Sequence, residues 1–327
     1  MTIIDVHNHF YPMQYVEAVA HNSRQIRVTY DQHGNPELHS PGDINVVVPG
    51  HRDIAHRDAA LTQAGVDHHV FSFTCPGTVV ETPERSAELA RIINDEFAAI
   101  TRAYPGRFTA LATLPLNAPE AALAEYARAT RDLHMPGVML YSNINGVALH
   151  DPRFWALYER ANADAAVFYI HPTYPVGVEA MQDYWLMPLV GFLFDTTLAA
   201  GGLVFSGVVE RFPRIRWVLG HLGGAIPYLA ERLDRGWAAF ADCRQHISRP
   251  PSSYLRENFY YDTVNFDPRA IRLALDFAGA AHILAGSDYP HQIGSMQQMK
   301  AAIDSAGLST IEKEQVLSAN AASLFRL

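Results

Sequence analysis

Short runs of β-branched and aromatic residues alternate along this chain with longer stretches whose apolar side chains recur every three or four positions. The short runs are typical of buried strands, and the longer stretches are typical of helices with one apolar face. Helices are predicted at 83–103, 118–132, 152–163, 225–237 and 268–277. The eight predicted strands lie at 3–6, 66–73, 108–114, 137–141, 166–171, 215–220, 259–262 and 283–286.

This alternation of strand and helix predicts a parallel sheet with helices packed around it. Eight strand–helix units indicate a closed (β/α)8 TIM barrel, formed by residues 1–327 as a single α/β domain. An open, doubly wound sheet is the alternative. No glycine-rich phosphate-binding sequence follows the first strand, which counts against the nucleotide-binding form of that alternative.

Three segments depart from the repeating pattern. Residues 22–49 contain IRVTYDQHGNPELHS, which predicts a small β-hairpin inserted after the first strand, with its turn at Gly34 or Asn35. In a barrel this loop lies at the catalytic face. The strongly apolar stretch 185–209 is interrupted by Pro188, Asp195 and Gly201-Gly202, so it predicts two buried or interface helices and not a membrane span. Residues 311–327 are predicted as a helix with a short tail.

Composition and charge narrow the possible partners and the compartment. The 327 residues are 49% hydrophobic and 18% charged, which is usual for a globular protein. The net charge of −9 and the lack of a basic cluster argue against nucleic acid and anionic membranes as partners. Only two cysteines occur and no signal peptide is apparent, so we expect a cytoplasmic protein.

Histidines and one acid stand where predicted strands end. The C-terminal ends of barrel strands converge on one site, so these side chains are expected to meet. Imidazole and carboxylate ligands together suit zinc and also accommodate manganese, iron or cobalt. Each residue alone also fits a polar loop position, and Asp288 alone fits a helix cap. The side chains in question are His7 and His9 after strand one, His171 after strand five, His221 after strand six and Asp288 after strand eight.

The lysines bear on the number of metal ions. Some barrel hydrolases bridge two metals through a modified lysine at a strand end. Here the only lysines are Lys300 and Lys313, both on predicted helices, and strand four ends in MLYSN. We therefore expect a mononuclear site.

The motifs DVHNHF, YIHP, LGHLGG and GSDYP, in this order and at barrel spacing, resemble the amidohydrolase superfamily. More narrowly, they resemble the group typified by 2-amino-3-carboxymuconate-6-semialdehyde decarboxylase. The resemblance implies a metal-dependent barrel and, for most known members, non-oxidative decarboxylation of aromatic or muconate-type acids. Some relatives are hydrolases or hydratases. Retention of His7, which several aromatic-acid members replace by glutamate, places the chain nearer the muconate-semialdehyde type.

The resemblance also implies roles for individual residues. His221 matches a histidine that activates metal-bound water. Arg232 matches an arginine that binds a substrate carboxylate from the neighbouring subunit of a homodimer, although its position also fits a surface pair with Glu231 or Asp234. Arg52 is the nearest candidate for a second substrate-binding arginine. The implied metal ligands are His7, His9, His171 and Asp288.

Further aromatic residues adjoin these loops and are candidates for stacking on a flat substrate, although each alone also fits ordinary packing. Cys75 ends strand two and is expected to line the pocket without acting as a nucleophile. The aromatic candidates are Tyr174, Trp185, Tyr289 and His291.

The function expected from all these features is decarboxylation of a small anionic acid at one divalent metal, most simply Zn²⁺ and alternatively Mn²⁺. His221 and Asp288 are the expected proton carriers. A hydrolase or hydratase on the same mononuclear site is the alternative. A barrel that binds a ligand without catalysis is a third, more distant possibility.

Overall fold

The computed structural model describes residues 1–40 and 43–327. Its parallel strands lie close to the predicted positions, although most are shorter than the apolar runs that contain them. The strands of the barrel are Ile4–Asp5, His68–Phe71, Phe108–Ala110, Gly137–Tyr141, Val167–His171, Arg216–Leu219, Phe259–Asp262 and Ile283–Leu284.

Backbone hydrogen bonds close these eight strands into a barrel. Strands one, two and three pair in parallel, as do strands four to eight. Between strands eight and one, the amide of Val6 donates to the carbonyl of Ala285 at 2.9 Å. Between strands three and four, the amide of Ala112 donates to the carbonyl of Gly137 at 3.0 Å, and the carbonyl of Ala112 accepts from the amide of Met139 at 2.8 Å. The barrel prediction is confirmed, and the closure excludes the open sheet.

The α-helices surround the barrel, and several begin in the way their sequences predict. Proline occupies the first turn of many, where its missing N–H costs no intrahelical bond. The side chains of Thr82 and Asp267 accept hydrogen bonds from the first turns that they precede. The helices are Met13–Asn22, Pro49–Arg52, Ile54–Ala64, Pro83–Ala103, Pro119–Arg131, Trp155–Asp164, Phe192–Phe205, Val208–Arg211, Ile226–Ala239, Pro251–Glu257, Pro268–Ala278, Met296–Ser305, Thr310–Glu314 and Asn320–Phe325.

The insertion after the first strand is larger than a hairpin. Strands Arg27–Tyr30 and Pro36–Ser40 pair antiparallel around a turn in which Gly34 has a φ of 77°. A further strand, Asp43–Val46, adds to Pro36–Ser40, so the insertion is a three-stranded sheet. Residues 41 and 42 of the predicted insertion lie outside the described residues. The hydroxyl of Tyr174 bonds to Ser40 and fastens the sheet to the loop after strand five.

The apolar stretch 185–209 differs from its prediction. One helix, Phe192–Phe205, runs through Gly201 and Gly202 without the expected break. A Cβ at Gly202 would lie 2.5 Å from Nδ1 of His150, so this glycine serves close packing and does not end the helix. By length and composition the segment Asp183–Phe205 passes for a membrane span, but 44% of its most apolar window is buried inside the protein.

Candidate metal centre

Four polar side chains meet at the C-terminal end of the barrel. All four are buried, and one ligand atom from each lies within 4.8 Å of the others. They come from three different strand ends, which the closed barrel brings together. The residues are His7, His9, His171 and Asp288, the set predicted from the sequence.

Several atoms of this cluster lack a hydrogen bond from any described residue. Nε2 of His7, Nε2 of His9 and Oδ1 of Asp288 are buried and unpaired. Oδ1 of Asp288 lies 3.3 Å from Nε2 of His7 and 3.2 Å from Nε2 of His9, but neither contact has the geometry of a hydrogen bond. A buried polar atom without a partner costs about 1–3 kcal/mol. The donors therefore fit a divalent cation, which would satisfy them together.

Hydrogen bonds on the far side of each imidazole fix its orientation. Nδ1 of His7 lies 2.5 Å from Oδ2 of Asp262, and Nδ1 of His171 donates to the carbonyl of Pro172 at 2.7 Å. Nδ1 of His9 lies 3.3 Å from the hydroxyl of Ser72. With Nδ1 engaged, Nε2 of each ring is left free to bind a metal.

The protonation states of three of the four donors suit a metal directly. Burial lowers the pKa of His9 to about 3 and that of His171 well below its usual value. Burial opposes ionisation of Asp288, but the adjacent imidazoles of His7 and His9 outweigh it and hold its pKa well below the usual value. For His7 burial favours the neutral form, yet the charge of Asp262 outweighs it and raises the pKa to about 10. Metal uptake would therefore displace a proton from His7.

Asp262 is a functional residue that the sequence analysis missed. It is fully buried, and besides His7 it accepts from the Tyr169 hydroxyl at 2.5 Å and from the amides of His221 and Leu222 at 3.1 and 3.2 Å. The sequence does contain an indication of this role, because Asp262 is the last residue of the seventh predicted strand and so lies at the same rim of the barrel as the metal donors. One side chain thus holds both a candidate metal ligand and the segment that carries His221.

His221 lies beside the four donors but is not one of them. Its ring centroid is 4.8 Å from that of His7 and 5.6 Å from that of His171, and its buried Nδ1 lacks a partner among the described residues. Burial, reinforced by the charge of His7, lowers the pKa of His221 to about 4. The φ angles of His221 and Leu222 are 55° and 56°, a conformation that costs free energy in non-glycine residues and recurs at functional sites.

The predicted substrate-binding residues lie at different distances from this cluster. The His291 ring is 5.0 Å from the His9 ring, and Tyr289 is half-buried in the same loop. Trp185 is 60% exposed. Arg52 donates to Asn35 Oδ1 at 2.9 Å, so its guanidinium is engaged with the insertion. Burial raises the pKa of Cys75 to about 12, in keeping with the expectation that it is no nucleophile.

Arg232 is exposed on the helix Ile226–Ala239. Both partners that the sequence offered are engaged elsewhere. Glu231 pairs with Arg235 at 3.0 Å, and Asp234 accepts from the Ser252 hydroxyl at 2.7 Å. The surface ion pair considered for Arg232 is therefore wrong.

A second missed residue, Arg57, lies in the run in which Arg52 was singled out. Arg57 is fully buried, donates to the carbonyls of His9 and Gly50, and faces the Tyr289 ring at 5.1 Å. Its Nη1 lies 3.2 Å from Nδ1 of His69, whose Nε2 lies 3.2 Å from Asp5. Arg57 thus connects the end of strand one to the loops around the site. The spacing of residues along the sequence did not reveal these contacts.

Comparison with known proteins identifies the family. A family model described as amidohydrolase matches residues 4–327. The chain belongs to the amidohydrolase family. It is 31% identical over 240 residues to 2-amino-3-carboxymuconate-6-semialdehyde decarboxylase from Dictyostelium discoideum, across 73% of this chain and 67% of that protein. The family predicted from the four motifs is confirmed.

Solved structures agree with this amidohydrolase-family barrel. 5-Carboxyvanillate decarboxylase from Sphingomonas paucimobilis superposes with a TM-score of 0.88 at 28% identity, covering 100% of this chain and 99% of that one. A dihydroxybenzoic acid decarboxylase from Polaromonas sp. JS666, with bound manganese and the inhibitor 2-nitroresorcinol, shares the fold with a TM-score of 0.83 at 23% identity, covering 100% and 97%. These three similar proteins are named as decarboxylases, which are carbon–carbon lyases.

Replacing Asp262 by asparagine is expected to weaken metal binding by about 10–100-fold, because the carboxylate that orients His7 and raises its basicity is lost. Chelator competition with Zn²⁺ or Mn²⁺ measures the affinity. Asp276→Asn, which removes an exposed carboxylate paired with Arg272, is the matched control and should leave it unchanged. Equal affinity of Asp262→Asn and wild type would show that Asp262 does not tune the site.

Proposed function

We propose that this protein is a metal-dependent, non-oxidative decarboxylase of a small aromatic or muconate-type carboxylic acid. The observation that carries the proposal is the position of His221, a buried imidazole with a free Nδ1 beside four converging donors. The decarboxylases among the relatives support the same reaction class. Such a site combines groups that hold the acid with a separate group that moves a proton.

Loss of CO₂ breaks one carbon–carbon bond, leaves the electron pair on the remaining carbon, and requires a proton at that carbon. A bound divalent cation would polarise the substrate oxygens that it holds. We assign the proton transfer to His221, whose low pKa keeps it neutral near pH 7, so that it readily passes on a proton that it accepts. Asp288, at the same rim, is assigned both to the metal and to a share of the proton transfer.

The proposed cofactor is one divalent cation per chain, bound by His7, His9, His171 and Asp288. Three imidazoles and one carboxylate suit Zn²⁺ and also accommodate Mn²⁺. Neither lysine supports a bridge to a second metal. The ammonium of Lys300 donates to the Ala64 carbonyl at 2.7 Å, and that of Lys313 pairs with Asp304 at 2.7 Å.

We further propose a homodimer in which Arg232 completes the partner's site. The helix that carries Arg232 and the helix Phe192–Phe205 both contact the His221–Gly223 turn, so they flank the same side of the site. Exposed apolar side chains cover this region and favour burial against a second copy. They are Tyr184, Trp185, Leu189, Val190, Phe194, Leu198 and Tyr228.

The remaining substrate contacts are proposed around the mouth of the barrel. Tyr289 and His291 are assigned to the substrate ring, because their loop directly follows Asp288. Trp185 is assigned to the same pocket in the dimer, where its exposed ring would be covered. Arg52 remains a candidate that would first have to leave Asn35.

The proposal is tested with protein produced in the reducing cytoplasm of an expression host. This choice suits the chain because Cys75 and Cys243 are both free thiols. We expect a metal content near one per chain, and CO₂ release from at least one member of a panel of hydroxybenzoates and muconate acids. Release should cease on chelation and return with metal. A stoichiometry near two would contradict the mononuclear site. If ester, lactone or unsaturated analogues were hydrolysed or hydrated and no CO₂ were released from any acid, the protein would be a hydrolase or hydratase and not a decarboxylase.

A further inference from the structure

His51 is a buried histidine whose polar atoms lack partners. It is 2% exposed, and neither Nδ1 nor Nε2 has a hydrogen-bond partner among the described residues. His68, another buried histidine, differs. In His68, at the opposite end of the barrel, the two ring nitrogens lie 3.1 Å from the Gly106 carbonyl and 2.9 Å from the Thr109 hydroxyl. A neutral imidazole has one donor and one acceptor to satisfy. His51 thus lacks what the chain provides for His68.

Its position connects His51 to the metal cluster. The His51 ring centroid is 4.9 Å from that of His291, which in turn is 5.0 Å from that of His9. The three imidazoles form a row of neighbouring rings that begins at a candidate metal ligand. The amide of His291 donates to the Asp288 carbonyl at 3.0 Å, so the middle member of the row is tied to a second candidate ligand.

We propose that His51 and His291 form a subsite that recognises a hydroxyl group on the ring of the substrate. This inference rests on the proposed function, since the metal-facing carboxylate sets the substrate at one end of the row. A hydroxyl both donates and accepts, so it can pair with an unsatisfied ring nitrogen of His51 in either tautomer. The subsite would make the enzyme selective for hydroxylated aromatic acids over unsubstituted ones.

The charge around His51 favours a hydroxyl over a second carboxylate. Burial, aided by the nearby His291 and Arg57, lowers the pKa of His51 well below its usual value. The ring is therefore neutral and offers no opposite charge to a buried carboxylate, whose removal from water would cost a large free energy there. Desolvation of a neutral hydroxyl costs far less.

Nitro analogues test the subsite without turnover, because a nitro group has the shape of a carboxylate but is not lost as CO₂. The probes are 2-nitrophenol, with one hydroxyl, and 2-nitroresorcinol and 4-nitroresorcinol, which add a second hydroxyl in different positions. Calorimetry on the Mn²⁺-loaded protein at one pH gives each affinity. We expect at least one resorcinol to bind the wild type about tenfold more tightly than 2-nitrophenol.

In His51→Leu the ratio of the affinity for the preferred resorcinol to the affinity for 2-nitrophenol should fall to near one. The affinity for 2-nitrophenol itself should stay within about twofold of wild type. His51→Gln keeps a hydrogen-bond donor, so it should retain part of the preference. This variant also keeps the test decisive if His51→Leu does not fold. His68→Gln is the matched control and should keep all of it. Metal content and melting temperature are measured for each variant.

An unchanged preference in both His51 variants, an equal loss for all three probes, or no preference in wild type would overturn the subsite and leave His51 with a purely structural role. The outcome is separable from the proposed function. If wild type releases CO₂ but the affinity ratios of the probes do not change when His51 is replaced, only the subsite proposal is wrong. If wild type releases none from any acid, the decarboxylase proposal fails, while the affinity ratios still decide whether a hydroxyl subsite exists.

Discussion

Replacing His221 by alanine is expected to lower kcat by about 10²–10⁴-fold while the chain still binds its metal. The reason is geometric. His221 is 4.8 Å from His7 between ring centroids, yet it is not one of the four donors that converge within 4.8 Å. Its loss would remove the proposed proton carrier and leave the candidate ligands and their orienting hydrogen bonds in place. Metal content and kcat, measured on the same preparation, check the prediction.

The matched variant is His171→Ala, which removes one of the four donors themselves. We expect it to lose metal and activity together, and added metal should not restore full turnover. A His221→Ala protein that lost its metal in the same way would make His221 a ligand. One that kept wild-type kcat would remove it from the reaction, and proton transfer would then fall to another group such as Asp288.

Replacing Arg232 by alanine is expected to raise KM for the acid by about 30-fold or more, since truncating one partner of a buried charge pair costs about 2–5 kcal/mol. Arg232 is exposed in the single chain, so a buried contact with substrate requires a second copy. The protein has a net charge of −9, and an anionic substrate needs local positive charge at the site. Steady-state kinetics measure the change, with Arg235→Ala as the control, because Arg235 already pairs with Glu231.

Mixing the two weak variants tests whether the sites are shared. In a mixed dimer of Arg232→Ala and His221→Ala chains, one site regains both residues and the other lacks both. Random exchange in a symmetric dimer should therefore restore about a quarter of wild-type activity. Failure to recover activity after demonstrated subunit exchange would assign Arg232 to its own chain or to no site.

The secondary-structure pattern was readable because it depends on local rules. Strands four and five, Gly137–Tyr141 and Val167–His171, are buried along their whole length, so they appear in the sequence as unbroken apolar runs. The first strand and the HxH motif that follows it are equally local. Once eight such units predict a barrel, the convergence of His7, His9, His171 and Asp288 follows from the fold itself.

Packing overrode local signals in two places. Gly201-Gly202 indicated a helix break, but the helix continues because Gly202 makes room for His150. Asp195 was taken as an interruption, but it is buried and accepts from Asn143 at 2.8 Å and from the Ser142 hydroxyl. None of these three partners is predictable from a window of sequence, because each lies about 50 residues away.

The amino-acid sequence by itself predicted the barrel, the four candidate metal donors, the position of His221 beside them and the family, since strand ends of a parallel barrel must meet at one rim. Only the tertiary structure decided which groups orient and surround those donors. Asp262 bonds to His7 across 255 residues of sequence, and Arg57 binds the carbonyl of His9 from another element. His51 also gained its place beside His291 only on folding. Such contacts depend on distances between distant segments, and no periodicity in the chain encodes those distances.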